Sequence, residues 1–80
     1  MVDQERSRPG SGDLVVLTEI PPGLLDDLPM EDQEAITEQI GKPVTLNEYD
    51  EDGRAELEFK DKKGTIHFIY VNPDFIKLAS

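Results

Sequence analysis

The chain has 80 residues, no cysteine and a formal net charge of −10 at pH 7. This length allows one domain, and the lack of cysteine excludes disulfide bonds and thiolate metal sites. The acidic balance argues against binding to nucleic acid or to an anionic membrane, because phosphate groups are held by Lys and Arg. No apolar run approaches the ~20 residues that span a bilayer, and no signal peptide is evident, so we expect a cytoplasmic protein.

Residues 1–12 predict a flexible, disordered tail. The segment is rich in Gly, Pro, Ser and Arg, and its only apolar residues are Met1 and Val2, so it has little to bury. Apolar residues cluster from Asp13 onward. We therefore assign one small domain to residues 13–80.

The first strand is predicted over Asp13–Ile20, where residues 14–17 form a continuous run of β-prone side chains. Pro21–Gly23 ends this strand, because proline cannot donate to a β ladder. Three leucines follow in a loop, and we expect them to close one end of the core.

A short helix is predicted over Asp27–Ile40. Asp26 or Asp27 is a suitable N-cap, and Pro29 suits the first turn. Gly41 is placed as a C-terminal stop, because glycine readily adopts the left-handed conformation that ends many helices. The helix is too short and too polar to be stable alone, so it must pack on a sheet.

The C-terminal half reads as three strands joined by two tight turns. The strands are predicted over Pro43–Tyr49, Arg54–Lys60 and Thr65–Val71. The breakers between them, Asp50–Gly53 and Asp61–Gly64, both begin with Asp and end with Gly, residue types that turns select.

The second and third of these strands differ in their pattern. Arg54–Lys60 alternates apolar and charged residues, which predicts a strand with one face in water. Thr65–Val71 is apolar on both faces, which predicts a central strand or a sharply curved barrel.

The order of these elements resembles the Src-homology-3-like small barrel. The local likeness lies in Ile69–Leu78, where a strand is followed by a proline turn, an aromatic residue and a short last strand. The resemblance implies a mainly β, five-stranded antiparallel barrel with a helix inserted between strands 1 and 2. It also implies that Pro73 lies in a 3₁₀ turn and that Phe75 plugs the barrel. The chain is similar to the stand-alone bacterial domains of this fold.

The resemblance does not extend to proline-rich peptide binding. Members with that activity carry a tandem tryptophan and an aromatic first loop. This chain has no tryptophan, and its segment from Glu19 to Gly41 holds no aromatic residue, so the groove for a polyproline II ligand is missing.

No residue pattern indicates catalysis, a cofactor or a metal ion. His67 is the single histidine, and it lies mid-strand, where we expect its ring to pack against a neighbour rather than act as a general base. Asp50–Gly53 favours a hairpin over a calcium loop, because Arg54 and Ala55 follow where further ligands would be needed.

The acidic residues suggest the function. Between Glu19 and Gly41 there are seven acidic residues and no Lys, Arg or His, which favours either solubility or docking of a basic partner. We expect a monomeric, non-catalytic protein-interaction module. The alternative is an accessory or regulatory subunit of a larger enzyme, paired through a sheet edge. The candidate partner-binding residues are Glu19, Asp26, Asp27, Glu31, Tyr49 and Tyr70.

Overall fold

One open sheet of five antiparallel strands forms the fold, in the order β4-β3-β2-β1-β5. The computed structural model describes residues 9–79. The predicted mainly β fold is confirmed, as is the helix between the first two strands. The elements are β1 (Leu14–Leu17), α1 (Met30–Glu38), β2 (Pro43–Tyr49), β3 (Ala55–Lys60), β4 (Ile66–Val71), a 3₁₀ helix (Pro73–Phe75) and β5 (Ile76–Leu78).

Two turns that begin with Asp set the register of the antiparallel strands β2, β3 and β4. Oδ1 of Asp50 and Oδ1 of Asp61 each accept two backbone N–H bonds, from the residues two and four positions later, at 2.8–2.9 Å. Gly53 and Gly64 close these turns with φ of 82° and 87°, a conformation that side chains with a Cβ rarely adopt. Both predicted turns are confirmed.

The hydrophobic core lies on one face of the sheet, which α1 covers. Leu46 and Leu57 oppose each other across β2 and β3, and both are fully buried. Ala35 and Ile36 are the buried residues of α1. The predicted packing of the loop leucines against this core is confirmed. The partly buried residues around the core are Ile20, Leu24, Leu25, Leu28, Ile40, Tyr49 and Phe75.

The helix begins later than predicted. It spans Met30–Glu38 with Pro29 at the N-cap, and no side chain caps it, so the predicted capping by Asp26 or Asp27 is wrong. The extended ψ of Pro29, 155°, delays the first helical residue, and the two aspartates lie in a preceding series of turns. The helix also ends earlier than predicted, at Glu38 with Gln39 as the C-cap, and Gly41, two residues beyond that cap, has the predicted positive φ of 81°.

The sheet order corrects the position of β4. This strand lies at an edge of the sheet, so the predicted central position is wrong. Ile69 and Val71 face the core, whereas Ile66, Phe68 and Tyr70 are exposed. Apolar residues on both faces of a strand therefore do not mean that both faces are covered, because residues 9–79 leave the outer set of β4 exposed.

The hydrogen-bonded fold begins before residue 13. The predicted tail falls partly on residues 1–8, which lie outside the described residues. Within the remainder, the N–H of Gly12 donates to the carbonyl of Leu46 at 2.8 Å. The hydroxyl of Tyr49 donates to the carbonyl of Pro9 at 2.7 Å. Residues 9–12 therefore run beside β2.

A matched pair of substitutions in β4 tests which face is buried. Ile69→Val should reduce the free energy of unfolding by about 0.5–1.5 kcal/mol, because a buried methylene is lost. Ile66→Val makes the same chemical change on a side chain that is 46% exposed, so we expect a change within about 0.5 kcal/mol. Urea unfolding at equilibrium measures both values. Equal losses, or a larger loss at Ile66, would contradict this orientation of β4.

Candidate interaction surface

Three large apolar side chains line the outer face of β4, the face turned away from the core. Ile66, Phe68 and Tyr70 are 46%, 54% and 45% exposed. They lie in one line because alternate side chains of a strand point to the same side. We call these three residues the apolar row. Contiguous exposed apolar groups on a soluble domain are typical of interaction sites.

Two carboxylates lie beside the apolar row. In the register of β3 against β4, Glu56 pairs with Tyr70 and Glu58 pairs with Phe68. We call Glu56 and Glu58 the acidic pair. Directly opposed residues of neighbouring strands have Cβ atoms about 4.5–5.5 Å apart, so each carboxylate side chain starts next to an aromatic ring.

A bulge in β2 holds the acidic pair in place. The register of β2 against β3 shifts between Leu46 and Glu48, which makes Asn47 the additional residue. Nδ2 of Asn47 donates to Oε2 of Glu56 at 3.3 Å and to Oε1 of Glu58 at 3.0 Å. One amide group therefore restrains both carboxylates without neutralising their charge.

The environment of Tyr70 reports the negative potential of this face. The charge of Glu56 raises the pKa of the Tyr70 phenol above its usual range, and partial desolvation raises it further. The charges of Asp50 and Glu48 act in the same direction. The guanidinium carbon of Arg54 lies 5.7 Å from the centre of the Tyr70 ring. An aromatic ring in a negative field is a favourable position for a cation.

A second cluster of polar groups joins the β3–β4 hairpin to α1. Nε2 of His67 lies 2.9 Å from Oδ2 of Asp61, and Nδ1 lies 3.7 Å from Oδ1 of Asp32 on the helix. The imidazole stacks on Phe59 with ring centres 5.2 Å apart, which confirms the predicted packing of His67 against a neighbour. Hydrogen bonds from His67 and from the N–H of Thr65 lower the pKa of the Asp61 carboxyl.

The cleft beside His67 is crossed by ion pairs. Its volume is about 290 Å³. Nζ of Lys62 lies 3.2 Å from Oε2 of Glu38, and Nζ of Lys63 lies 3.3 Å from Oε2 of Glu31. Such exposed pairs stabilise a protein only slightly. Within residues 9–79, no group of three or more His, Cys, Asp or Glu residues is placed to hold a metal ion. We interpret the cluster as a connection between hairpin and helix.

The sequence-predicted site residues do not form one surface. Tyr70 lies on the outer face, whereas Tyr49 packs against the core on the opposite side of the sheet, so the two tyrosines share no rim. Three acidic residues are exposed in the connection from β1 to α1, and Glu31 on α1 pairs with Lys63. The three are Glu19, Asp26 and Asp27.

Sequence reasoning missed the apolar row and the acidic pair as one surface. The signal was present in the alternation of apolar and polar residues in β3 and β4. Counting outward from the Asp61 turn pairs Lys60 with Ile66, and every second pair beyond it faces the same way. That count brings Glu58 beside Phe68.

No protein-family model matches this chain, and neither curated proteins nor solved structures contain a significant match to it. Among residues 9–79, the helical segments are too short or too polar to cross a membrane. The geometry of the described residues is therefore the basis for a functional proposal.

The lowered pKa of Asp61 predicts how stability depends on pH. An ionised Asp61 stabilises the folded state above the ordinary carboxyl pKa of 3.8, and this contribution is lost as the pH falls through the lower folded-state value. Asp61→Asn should therefore melt at a lower temperature near neutral pH and lose less on further acidification than the unmodified chain. Thermal melts between about pH 7 and 2 measure this difference.

Asp27→Asn is the matched control for this change. Asp27 is exposed, and its side chain makes no hydrogen bond or ion pair within residues 9–79. Its melting curve should follow that of the unmodified chain at every pH. An Asp61→Asn profile that also runs parallel to the unmodified chain would show that the Asp61 charge does not stabilise the fold.

Proposed function

We propose that this chain is a non-catalytic protein-interaction module that docks a basic partner on the outer face of β3 and β4. The observation that carries the proposal is the exposed apolar row bordered by the fixed acidic pair. Apolar side chains supply the contact area that water leaves on binding, and carboxylates select Lys or Arg in the partner.

The overall charge supports a basic protein over a nucleic acid. The net charge of −10 repels phosphate backbones and attracts a cationic partner from a distance. The cluster that includes Lys62 and Lys63 offers little to a phosphate, because both ammonium groups already contact carboxylates of α1. Neither nucleic acid nor a membrane is part of this proposal.

The acidic connection between β1 and α1 takes a secondary role. Glu19, Asp26 and Asp27 are exposed and add to the field that steers a basic partner. They lack exposed aromatic neighbours of the kind that β4 presents. We therefore move the centre of contact from the acidic loop and helix to the outer face, and retain only Tyr70 of the two tyrosines as a contact residue.

We keep the Src-homology-3-like barrel as part of the proposal. The strand order and the 3₁₀ helix between β4 and β5 support it. Phe75 supports it as well, since it is half-buried against the core and its carbonyl accepts a hydrogen bond from the N–H of Thr18 at 2.8 Å. A cytoplasmic monomer remains the expectation from composition.

One observation favours the alternative of an accessory subunit in a larger enzyme complex. The apolar row lies on an edge strand, where a permanent partner could continue the sheet. An interface that relies on buried apolar area depends little on salt, whereas docking guided by charge weakens as salt screens it.

A peptide array with surface variants tests the proposal. The probes are peptides of about eight residues, a common strand length, that mix Arg or Lys with Val, Ile or Phe. Fluorescence anisotropy should show saturable binding that weakens with salt. Phe68→Ala should weaken binding about tenfold, as expected for a central aromatic contact. Glu58→Gln should reduce the affinity and also the dependence on salt.

Glu19→Gln and Asp27→Asn serve as controls of matched charge, and we expect little change in affinity for either. A larger effect at these two positions than at Phe68 and Glu58 would return the contact surface to the acidic loop. Absence of binding by every basic peptide, or saturable binding of mixed-sequence oligonucleotides at about 150 mM salt, would overturn the docking function.

A further inference from the structure

The backbone of the apolar row faces the open edge of the sheet. The N–H of Asp61 donates to the carbonyl of Thr65 at 2.9 Å, so these residues form a hydrogen-bonded pair. In an antiparallel ladder such pairs alternate with non-hydrogen-bonded ones. His67 and Ile69 therefore direct their backbone groups toward β3, and each residue of the apolar row directs its N–H and C=O away from it. Within residues 9–79, β4 has no neighbour on that side.

This edge lacks the usual protection against strand pairing. Natural edge strands carry proline, lysine or a bulge, or they are very short. β4 has six residues, IHFIYV, and pairs with β3 in an uninterrupted register. The opposite edge, β5, has three residues and carries Lys77. One edge of the sheet is thus short and charged, and the other is long, regular and apolar.

We propose that β4 receives an extended segment of the basic partner as a sixth strand, hydrogen-bonded to the backbone of the apolar row. The inference rests on the docking function proposed above and specifies its binding mode. Backbone hydrogen bonds then supply affinity that does not depend on sequence, and the side chains on the outer face supply specificity.

The outer face determines which side chains the added strand carries. Neighbouring strands lie about 4.7–4.9 Å apart, so the acidic pair on β3 is two strand spacings from the new strand. Only a long side chain can cross the apolar row to reach it. Lys or Arg does so over the rings of Phe68 and Tyr70, and the guanidinium of Arg54 already lies over the Tyr70 ring. The partner segment therefore has Lys or Arg at every second position, and the residues between them lie on the opposite face of the sheet.

A second copy of this chain fits the edge less well. Two copies would combine two charges of −10 and place two acidic pairs on one continuous face. Charge complementarity therefore favours a cationic segment of another protein.

Amide hydrogen exchange of the full chain tests the inference directly. In the free protein the amides of Ile66, Phe68 and Tyr70 should exchange fast, and those of His67, Ile69 and Val71 slowly. A saturating peptide of about eight alternating Arg and Val residues should slow the first three amides by at least about tenfold, as new backbone hydrogen bonds form. The other three amides should change little.

Two peptide controls separate strand pairing from charge attraction. A block isomer, with all Arg residues before all Val residues, keeps the composition and should bind more weakly. Two further peptides carry N-methyl groups at every second residue, one at the odd positions and one at the even positions. The peptide whose methyl groups point at β4 should not bind, and the other should bind like the unmethylated peptide.

The outcomes are distinguishable. Slowed exchange with a two-residue dependence on N-methylation supports strand addition. Binding that leaves the exchange of the three amides unchanged overturns strand addition, while the docking function stands. Slow exchange of these amides without peptide, rising with protein concentration together with dimer formation, would identify a second copy as the occupant and overturn the basic partner.

Discussion

The two-residue pleat of β4 is the constraint on which the rest of this molecule depends. The same strand completes the core with one set of side chains and presents the apolar row with the other. The Asp61 turn fixes this division, because its carboxylate holds the backbone at Lys63 and Thr65. A slip of one residue would bury the outward set and expose Ile69 and Val71. The turn therefore determines both stability and the chemistry of the surface.

The outer face combines features that oppose each other in an isolated domain. Exposed apolar side chains on a regular edge favour aggregation, and nearby carboxylates favour solubility. Asn47 restrains Glu56 and Glu58 beside the aromatic rings, so the negative charge stays next to the apolar row. A bound cationic segment relieves this opposition, because it neutralises the carboxylates and covers the apolar row. A like-charged chain would add to the repulsion.

Local signals in the sequence predicted local structure well. The two Asp-to-Gly turns, the three strands between Pro43 and Val71 and the positive φ at Gly41 each depend on residues close together in the chain. The N-cap was predicted wrongly, because the extended backbone at Pro29 places the helix start after the two aspartates.

Properties that depend on strand order could not be read from periodicity. The pattern of Thr65–Val71 gives two apolar faces, and it is the same whether neighbours or solvent lie beside them. Only the sheet order makes β4 an edge. For the same reason the two tyrosines, both plausible rim residues by chemistry, separated onto opposite faces. Tyr49 packs against the core, and Tyr70 remains beside Glu56 and Arg54.

Thiol labelling of single-cysteine variants tests the central claim most directly, because the chain contains no cysteine of its own. Phe68→Cys and Ile69→Cys place one thiol each on neighbouring residues of β4. The account predicts that the thiol at position 68 reacts at the rate of an exposed group and is protected by a bound basic segment. The thiol at position 69 should react only as the domain opens. Equal labelling rates of the two thiols in the free protein would contradict the account. So would a bound basic segment that leaves the labelling rate at position 68 unchanged.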